Sequence, residues 1–508
     1  MTVVGSITSA VVTFLLVYDG PGRAAASRSA MKPTEEPKNA EAEAESFSSQ
    51  VPAPAGRCDA GPSRSAASFG DGDGDGDGGS TGLGAAIGRL LRAGGADLAV
   101  VMNNIGSACA EGRGGAVDAA GATIWFRIAA ELGCCDAMVS LGARYAAGTG
   151  VRKDATEAVR WMRRATDRGS PKAIFAMGLF NQEGVGGLPK DAGEAVRCYR
   201  RAAELGEVGA MLNLAAAMAT GSGTEIDDAQ ALIWFQRAAA LGDAKAMFNL
   251  GGAYAKGRGV AQDAVVAVGW YRQAAERGHA GAMHQLGLKL AAGLGVLRDK
   301  AEGARWVRRA AESGFEAAIM TMGLFFADGI GVPRDAEEAV GWYRIAAERG
   351  DDEALLNLGV AYAEGEGVAR DLVEAKRLFR NSAGRGNSRA MHNLGLMYLG
   401  GDDGLSRDST EALRWFKQAS EGDYAPALVH AAILYAEGDG TPQDFSEAHF
   451  FASRAEELER DKAVDKAARL RIAVLRERIE EQMRPEQVAA ARVRLAEFLA
   501  ARRAGQGR

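Results

Sequence analysis

A small residue following a large apolar one returns along this chain every 36 or 37 residues. This glycine column comprises Gly106, Gly142, Gly178, Ala215, Gly251, Gly287, Gly323, Gly359, Gly395 and Ala432. A second column, 18 to 20 residues further on, comprises Trp125, Trp161, Cys198, Trp234, Trp270, Trp306, Trp342, Leu378, Trp415 and Phe450. It holds all seven tryptophans of the chain. Self-similarity at such a period is typical of stacked repeats, so the sequence predicts about ten copies of one small unit.

Each unit has the pattern of two helices joined by a glycine-rich loop. In the fifth unit, Met247, Leu250 and Tyr254 follow the i, i+3, i+7 spacing of a buried helical face. Gly257 suits the left-handed conformation that ends a helix. Asp263 suits the N-cap of the next helix. Abundant alanine and the absence of alternating β-branched runs also favour packed helices over sheets.

Capping and packing signals recur at the repeat period. Capping boxes are predicted where an aspartate precedes a glutamate by three residues, at Asp154, Asp191, Asp335, Asp371, Asp408 and Asp444. The glycine column lets helices approach closely, and the tryptophan column is predicted to fill the wedge beyond it. Trp270→Ala is therefore expected to cost about 3–5 kcal/mol of stability. A single unit cannot bury its own faces, so stacking must build the core.

These residues carry a resemblance to a known family. The string Ala246-Met-Phe-Asn-Leu-Gly-Gly-Ala-Tyr254, the loop Gly-Arg-Gly-Val260 and the helix Ala267-Val-Gly-Trp270-Tyr-Arg-Gln-Ala-Ala-Glu-Arg-Gly278 resemble the Sel1-like repeat, a relative of the tetratricopeptide repeat. The resemblance covers about 96–452. It implies an all-α fold, a right-handed α-α superhelix or α-solenoid. The third unit departs from it with an extra residue near Gly186.

The remaining chain has a different composition. Residues 31–95 are rich in Ala, Gly, Ser, Pro and Glu and are predicted to be disordered. Residues 453–508 are predicted to form a helical C-terminal cap. Residues 1–30 contain an apolar stretch, for which a signal or transit segment, a membrane anchor and a start at Met31 stay open. A cytoplasmic location is slightly favoured over secretory or organelle targeting.

Several chemistries find no support in the sequence. A net charge of −6 lacks the basic footprint of a nucleic-acid-binding protein. Five cysteines without a CxxC pair indicate neither a zinc site nor a disulfide framework. The Gly-x-Gly segments recur between helices, whereas a phosphate-binding loop follows a strand. His284 and His392 lie three units apart and cannot share a metal. No catalytic residue, metal or cofactor is predicted.

A basic column follows the tryptophan column by two residues: Arg127, Arg163, Arg200, Arg272, Arg308, Arg344, Arg380 and Lys417. A stripe of this kind could hold phosphates. However, an acid follows four residues later in most units, as Glu276 follows Arg272. The sequence therefore favours i, i+4 ion pairs on a solvated helix face.

The resemblance implies a non-catalytic scaffold or adaptor that binds a protein or peptide. Two alternatives are an enzyme or enzyme subunit with hydrolase-like activity and a membrane-associated lumenal adaptor. In the related tetratricopeptide fold the first helix of each unit lines the concave surface. The predicted partner-binding residues lie there, Phe248, His284, Met320, Leu356 and His392 in an apolar column and Asn249, Asn357 and Asn393 in an amide column beside it. The amide column also contains Asn213, Gln285 and Thr321. An alternative is that the apolar column is simply core.

Overall fold

The computed structural model of the protein describes residues 95–113, 115–401, 406–460 and 466–506. In these ranges all regular structure is helical, with 22 helices and no strand. The predictions for residues 1–94 lie outside the described residues. The all-α repeat architecture predicted from the period is confirmed.

The helices alternate as first and second helices of successive repeats. The first helices are α1 Gly95–Glu111, α3 Cys135–Ala147, α5 Pro171–Glu183, α7 Val208–Thr220, α9 Ala244–Lys256, α11 Ala280–Ala292, α13 Glu316–Asp328, α15 Asp352–Glu364, α17 Ser388–Gly400 and α19 Ala425–Glu437. The second helices are α2 Ala119–Glu131, α4 Ala155–Thr166, α6 Ala192–Glu204, α8 Asp228–Ala240, α10 Ala264–Glu276, α12 Lys300–Glu312, α14 Ala336–Glu348, α16 Leu372–Ala383, α18 Ser409–Glu421 and α20 Phe445–Arg460. Two further helices follow, α21 Lys466–Glu480 and α22 Pro485–Gln506. Contacts divide the chain into two compact units, with the boundary between Ala375 and Lys376.

The two loop glycines have separate structural tasks. Gly257 ends α9 in the left-handed conformation (φ 68°), and its N–H donates to the Ala253 carbonyl. Gly259 also has a positive φ of 70°, and a Cβ there would lie 2.4 Å from the carbonyl oxygen of Asp228 in the preceding repeat. The second glycine therefore lets the loop contact the neighbouring repeat. This packing role explains why Gly-x-Gly recurs without a phosphate site.

The aspartate at the start of each second helix works as an N-cap, but only half of the predicted capping box forms. The Asp154 carboxylate accepts from the backbone N–H of Glu157 at 3.0 Å. The Glu157 side chain instead pairs with Arg160. The reciprocal bond is displaced because the Asp154 N–H already donates to the Tyr145 carbonyl of the first helix, at 2.9 Å. This backbone tether between the two helices recurs in all ten repeats.

The residue that packs on the glycine column is not the tryptophan. A Cβ on Gly251 would lie 2.6 Å from Cδ1 of Tyr271, the residue after Trp270. Tyr271 is buried, whereas Trp270 is only partly buried, so the predicted core role of Trp270 is wrong. The position after the tryptophan column is buried in all ten repeats: Phe126, Met162, Tyr199, Phe235, Tyr271, Val307, Tyr343, Phe379, Phe416 and Phe451. One residue turns a helix by about 100°, which moves Trp270 to the edge of the interface, although Trp161 and Trp234 of the same column are buried.

In the unit that begins at Lys376, α21 and α22 extend the core of the last repeat. Ile472, Ile479 and Met483 join the buried cluster formed by the last two repeats. Asp423 anchors this end, because its carboxylate pairs with Arg454 of α20 at 3.0 Å and with Arg502 of α22. The apolar face of the last repeat is therefore covered by α21 and α22, two helices rich in charged residues.

Candidate protein-interaction surface

The five residues of the predicted apolar column differ in their exposure. Phe248 and Met320 are partly exposed. His284, Leu356 and His392 are buried, with 7%, 1% and 3% of their surfaces accessible. A partner at this surface would therefore touch Phe248 and Met320 first, with the buried residues beneath. Their role in binding stays a prediction.

The rings of this column join one repeat to the next. The Phe248 ring stacks on His279, the N-cap residue of α11, with centroids 4.6 Å apart. His284 contacts Phe315, the N-cap residue of α13, at 5.6 Å, and its Nε2 lies 2.9 Å from the Thr321 hydroxyl. Burial lowers the pKa of His284, which favours the neutral ring. These contacts show that part of the column consolidates the repeat stack.

In the unit that begins at Lys376, His392 lies against a second buried histidine. His392 Nε2 is 3.2 Å from Nδ1 of His430, and that nitrogen donates to the Pro426 carbonyl at 2.8 Å. Burial, above all, lowers the pKa of both rings, that of His430 to about 4. Both histidines are therefore neutral near pH 7 and act as packing groups. Among the residues that the structure describes, no acid or thiol completes a metal site around them.

The amide column is the more accessible part of the surface. Asn249 is exposed, and Gln285, Asn357 and Asn393 are partly exposed. Within the described chain, no hydrogen bond occupies the side-chain amides of Asn249, Gln285 and Asn357. Their donors and acceptors are therefore available to a partner. Asn393 differs because its side chain interacts with the buried His392 ring.

The basic column has partners other than those predicted. Arg127 donates to the Tyr145 hydroxyl at 2.7 Å, so it reaches the first helix of the following repeat rather than an acid four residues on. Equivalent arginine–tyrosine bonds recur in later repeats, at Arg344–Tyr362 and Arg380–Tyr398. An exposed ion pair contributes little, whereas a phenol held by its helix offers a fixed acceptor. The column is therefore part of the contact between repeats.

Catalytic and metal chemistry finds little support in the described residues. They contain no group of three His, Cys, Asp or Glu side chains that could hold a metal. One serine–histidine–acid string occurs: Ser453 Oγ lies 3.4 Å from His449 Nδ1, and His449 Nε2 lies 2.8 Å from Glu480. Ser453 and His449 are only 7% and 1% exposed. Glu480 also pairs with Arg476 and Arg492, so this string holds the C-terminal helices together.

A cavity of about 420 Å³ lies between α4 of the second repeat and α5 and α6 of the third repeat. Its walls include Ile174, Met177 and Leu188, with Asn181, Cys198 and Arg201 beside them. Sequence reasoning did not predict this cavity. The available signal was Cys198, the smallest residue of the tryptophan column, in the repeat with an extra loop residue.

The protein is a helical-repeat protein of the tetratricopeptide-like class. Three features define this class here: paired helices, a contact between a glycine and an aromatic side chain, and a loop that contacts the preceding repeat. The Sel1 repeat family profile matches ten segments of the chain: 99–134, 135–170, 171–207, 208–243, 244–279, 280–315, 317–351, 352–387, 388–424 and 425–459. The chain belongs to the Sel1 repeat family.

A solved structure agrees with this assignment. The chain is 28% identical to the protective antigen c5321 of uropathogenic Escherichia coli, which displays an SLR fold; the match covers 82% of this chain and 87% of that chain, with a TM-score of 0.68. It is 33% identical to a Sel1 repeat protein from Oxalobacter formigenes, over 48% of this chain and 96% of that chain, with a TM-score of 0.44. A search of curated proteins finds no match. Within the described residues, every helix is too short or too polar to cross a membrane.

Proposed function

We propose that this protein is a non-catalytic scaffold that holds a protein or peptide partner on the first helices of its repeats. Sel1 repeat solenoids are generally protein-interaction scaffolds. The observation that carries the proposal is the amide column, in which Asn249 of α9, Gln285 of α11 and Asn357 of α15 are accessible and have no side-chain hydrogen bond among the described residues.

The chemistry of this surface suits an extended segment of a partner. Such a segment needs hydrogen bonds for its backbone and apolar contacts for its side chains. Unpaired amides supply the first, and the partly exposed Phe248 and Met320 supply the second. The deeper rings keep the repeats in register, so the surface is preorganised before a partner arrives.

A matched pair of variants tests the proposal. The full chain with Asn249→Ala, Gln285→Ala and Asn357→Ala is used for affinity capture and mass spectrometry beside the wild type. The control carries Gln230→Ala, Gln236→Ala and Gln273→Ala, three exposed positions on second helices.

The first variant should lose the captured proteins while its melting temperature stays within a few degrees, since no internal hydrogen bond is removed. The control should retain them. Capture of the same proteins by both variants would refute binding through the amide column.

A further inference from the structure

The third repeat lacks two aromatic side chains that most other repeats contain. Cys198 stands in the tryptophan column, and Asn181 stands three residues after Gly178 in the glycine column. That second position holds a tyrosine in five other repeats, at Tyr145, Tyr254, Tyr362, Tyr398 and Tyr435. Asn181 Nδ2 lies 3.9 Å from Cys198 Sγ, so the two departures meet. The cavity of about 420 Å³ opens there.

One arginine that accompanies the missing indole is still present. Three residues after the tryptophan, Arg164 stacks over Trp161 at 4.4 Å, Arg237 over Trp234 at 4.6 Å and Arg309 over Trp306 at 4.7 Å. Counting three residues from Cys198 gives Arg201, which lines the cavity. Arg201 is therefore positioned to stack on an aromatic ring, but the third repeat has Cys198 in place of the tryptophan that would supply that ring.

A second arginine lacks its usual phenol. In the preceding repeat pair, Arg127 bonds the Tyr145 hydroxyl. The equivalent of Arg127 one repeat later is Arg163, and the equivalent of Tyr145 is Asn181. Both line the cavity. Thr166 adds a buried hydroxyl at the wall that has no hydrogen-bond partner among the described residues.

We propose that this cavity receives an aromatic side chain of a peptide partner, held between Arg201 and the apolar wall, with an acidic residue beside it in the partner. The volume lies in the range of ligand pockets, roughly 300–1,000 Å³. Ile174, Met177 and Leu188 provide the apolar wall. A ring here gains the cation–π contact that three other repeats form internally. The inference deepens the proposed scaffold function and rests on it, because it names a feature of the partner.

The charge at the cavity selects the flanking residue. Three arginines line it, Arg163, Arg197 and Arg201, against one acid, Glu194. Arg197 already pairs with Glu194. Arg163 and Arg201 are exposed and can meet a carboxylate of the partner. The Cys198 thiol takes no covalent role, because burial and then the nearby Glu194 raise its pKa.

The test uses the full chain and the acetylated, amidated peptide Ser-Asp-Trp-Asp-Ser with a fluorinated indole, followed by fluorine NMR titration. Cys198→Trp supplies the missing ring from the chain itself and should weaken binding at least about tenfold. Cys198→Ala keeps the space open and should bind within about twofold of the wild type. Asn181→Tyr, which restores the partner of Arg163, is a second way to fill the cavity and should also weaken binding.

A peptide with leucine in place of tryptophan measures the contribution of the ring and should bind several-fold more weakly. The proposal is overturned if the tryptophan peptide fails to bind at millimolar concentration, if the leucine peptide binds equally well, or if both filled variants bind like the wild type. None of these results removes the amide-column proposal, which depends on other residues and on the capture experiment.

Discussion

Two adjacent glycines of α9 give the sharpest test of how the two helices of a repeat pack. A Cβ on Gly251 would lie 2.6 Å from Cδ1 and 2.7 Å from Cε1 of the buried Tyr271 ring. A Cβ on Gly252 would meet only the Tyr271 hydroxyl, at 3.9 Å. Both glycines lie inside the same helix, so alanine changes their helix propensity equally. The two substitutions therefore differ in the packing contact alone.

The expected magnitudes follow from these distances. Alanine in place of glycine inside a helix gains about 1 kcal/mol from propensity. Overpacking a filled core costs about 1–3 kcal/mol, and the close ring contact adds this cost only at Gly251. Gly252→Ala should therefore stabilise by about 1 kcal/mol, whereas Gly251→Ala should range from neutral to a loss of about 2 kcal/mol.

Hydrogen exchange of peptides from 244–276, read by mass spectrometry, is the suitable assay because a repeat protein need not unfold in one step. Tyr271→Ala serves as the background for a cycle: without the ring, Gly251→Ala should become stabilising. If Gly251→Ala stabilises α9 as much as Gly252→Ala in the wild-type background, the contact with Tyr271 is not the reason that this position requires glycine.

Three further predictions concern stability. Tyr271→Ala should lower the local free energy of unfolding, measured by hydrogen exchange, by about 3–5 kcal/mol, and Trp270→Ala should lower it clearly less because Trp270 is partly exposed. A larger loss for Trp270→Ala than for Tyr271→Ala would contradict the placement of Tyr271 in the core. Burial lowers the pKa of His430 to about 4 in the folded chain, so as the pH falls the unfolded chain binds a proton at this histidine before the folded chain does. The free energy of unfolding should therefore be highest above about pH 6.5 and fall by about 3 kcal/mol towards pH 4. Urea titrations of His430→Leu should show a flatter dependence on pH. Asp423→Ala leaves the buried Arg454 guanidinium without its carboxylate and should lower the unfolding free energy by about 3 kcal/mol, whereas an unchanged urea midpoint would show that Asp423 is dispensable.

The sequence predicts the helices and their order well because each signal acts locally. The N-cap role of Asp263 and the helix stop at Gly257 depend on backbone geometry within a few residues. The prediction placed Trp270 in the core, whereas the structure places the next residue, Tyr271, there. The error arose because tryptophan is the larger and more regularly repeated side chain, and because the sequence does not determine the rotation of the second helix about its axis. Tyr271 fills the interface, and the equivalent position in other repeats holds an aromatic residue, a methionine or a valine.

Side-chain partners across repeats were the least predictable part of the candidate surface. Arg127 has an acid four residues later in sequence, yet it bonds Tyr145, 18 residues away. The apolar column is divided in the same way: His284 is buried against Phe315, whereas Phe248 remains partly open. These outcomes depend on the offset between neighbouring repeats, which the 36-residue period does not specify.

Hydrogen exchange of the full chain with and without a purified captured partner tests the scaffold function most directly. We expect added protection in peptides from α9, α11 and α15, which carry Asn249, Gln285 and Asn357, and much less in the second helices α8, α10 and α12. Protection confined to second helices or to residues 466–506 would contradict binding through the first-helix surface.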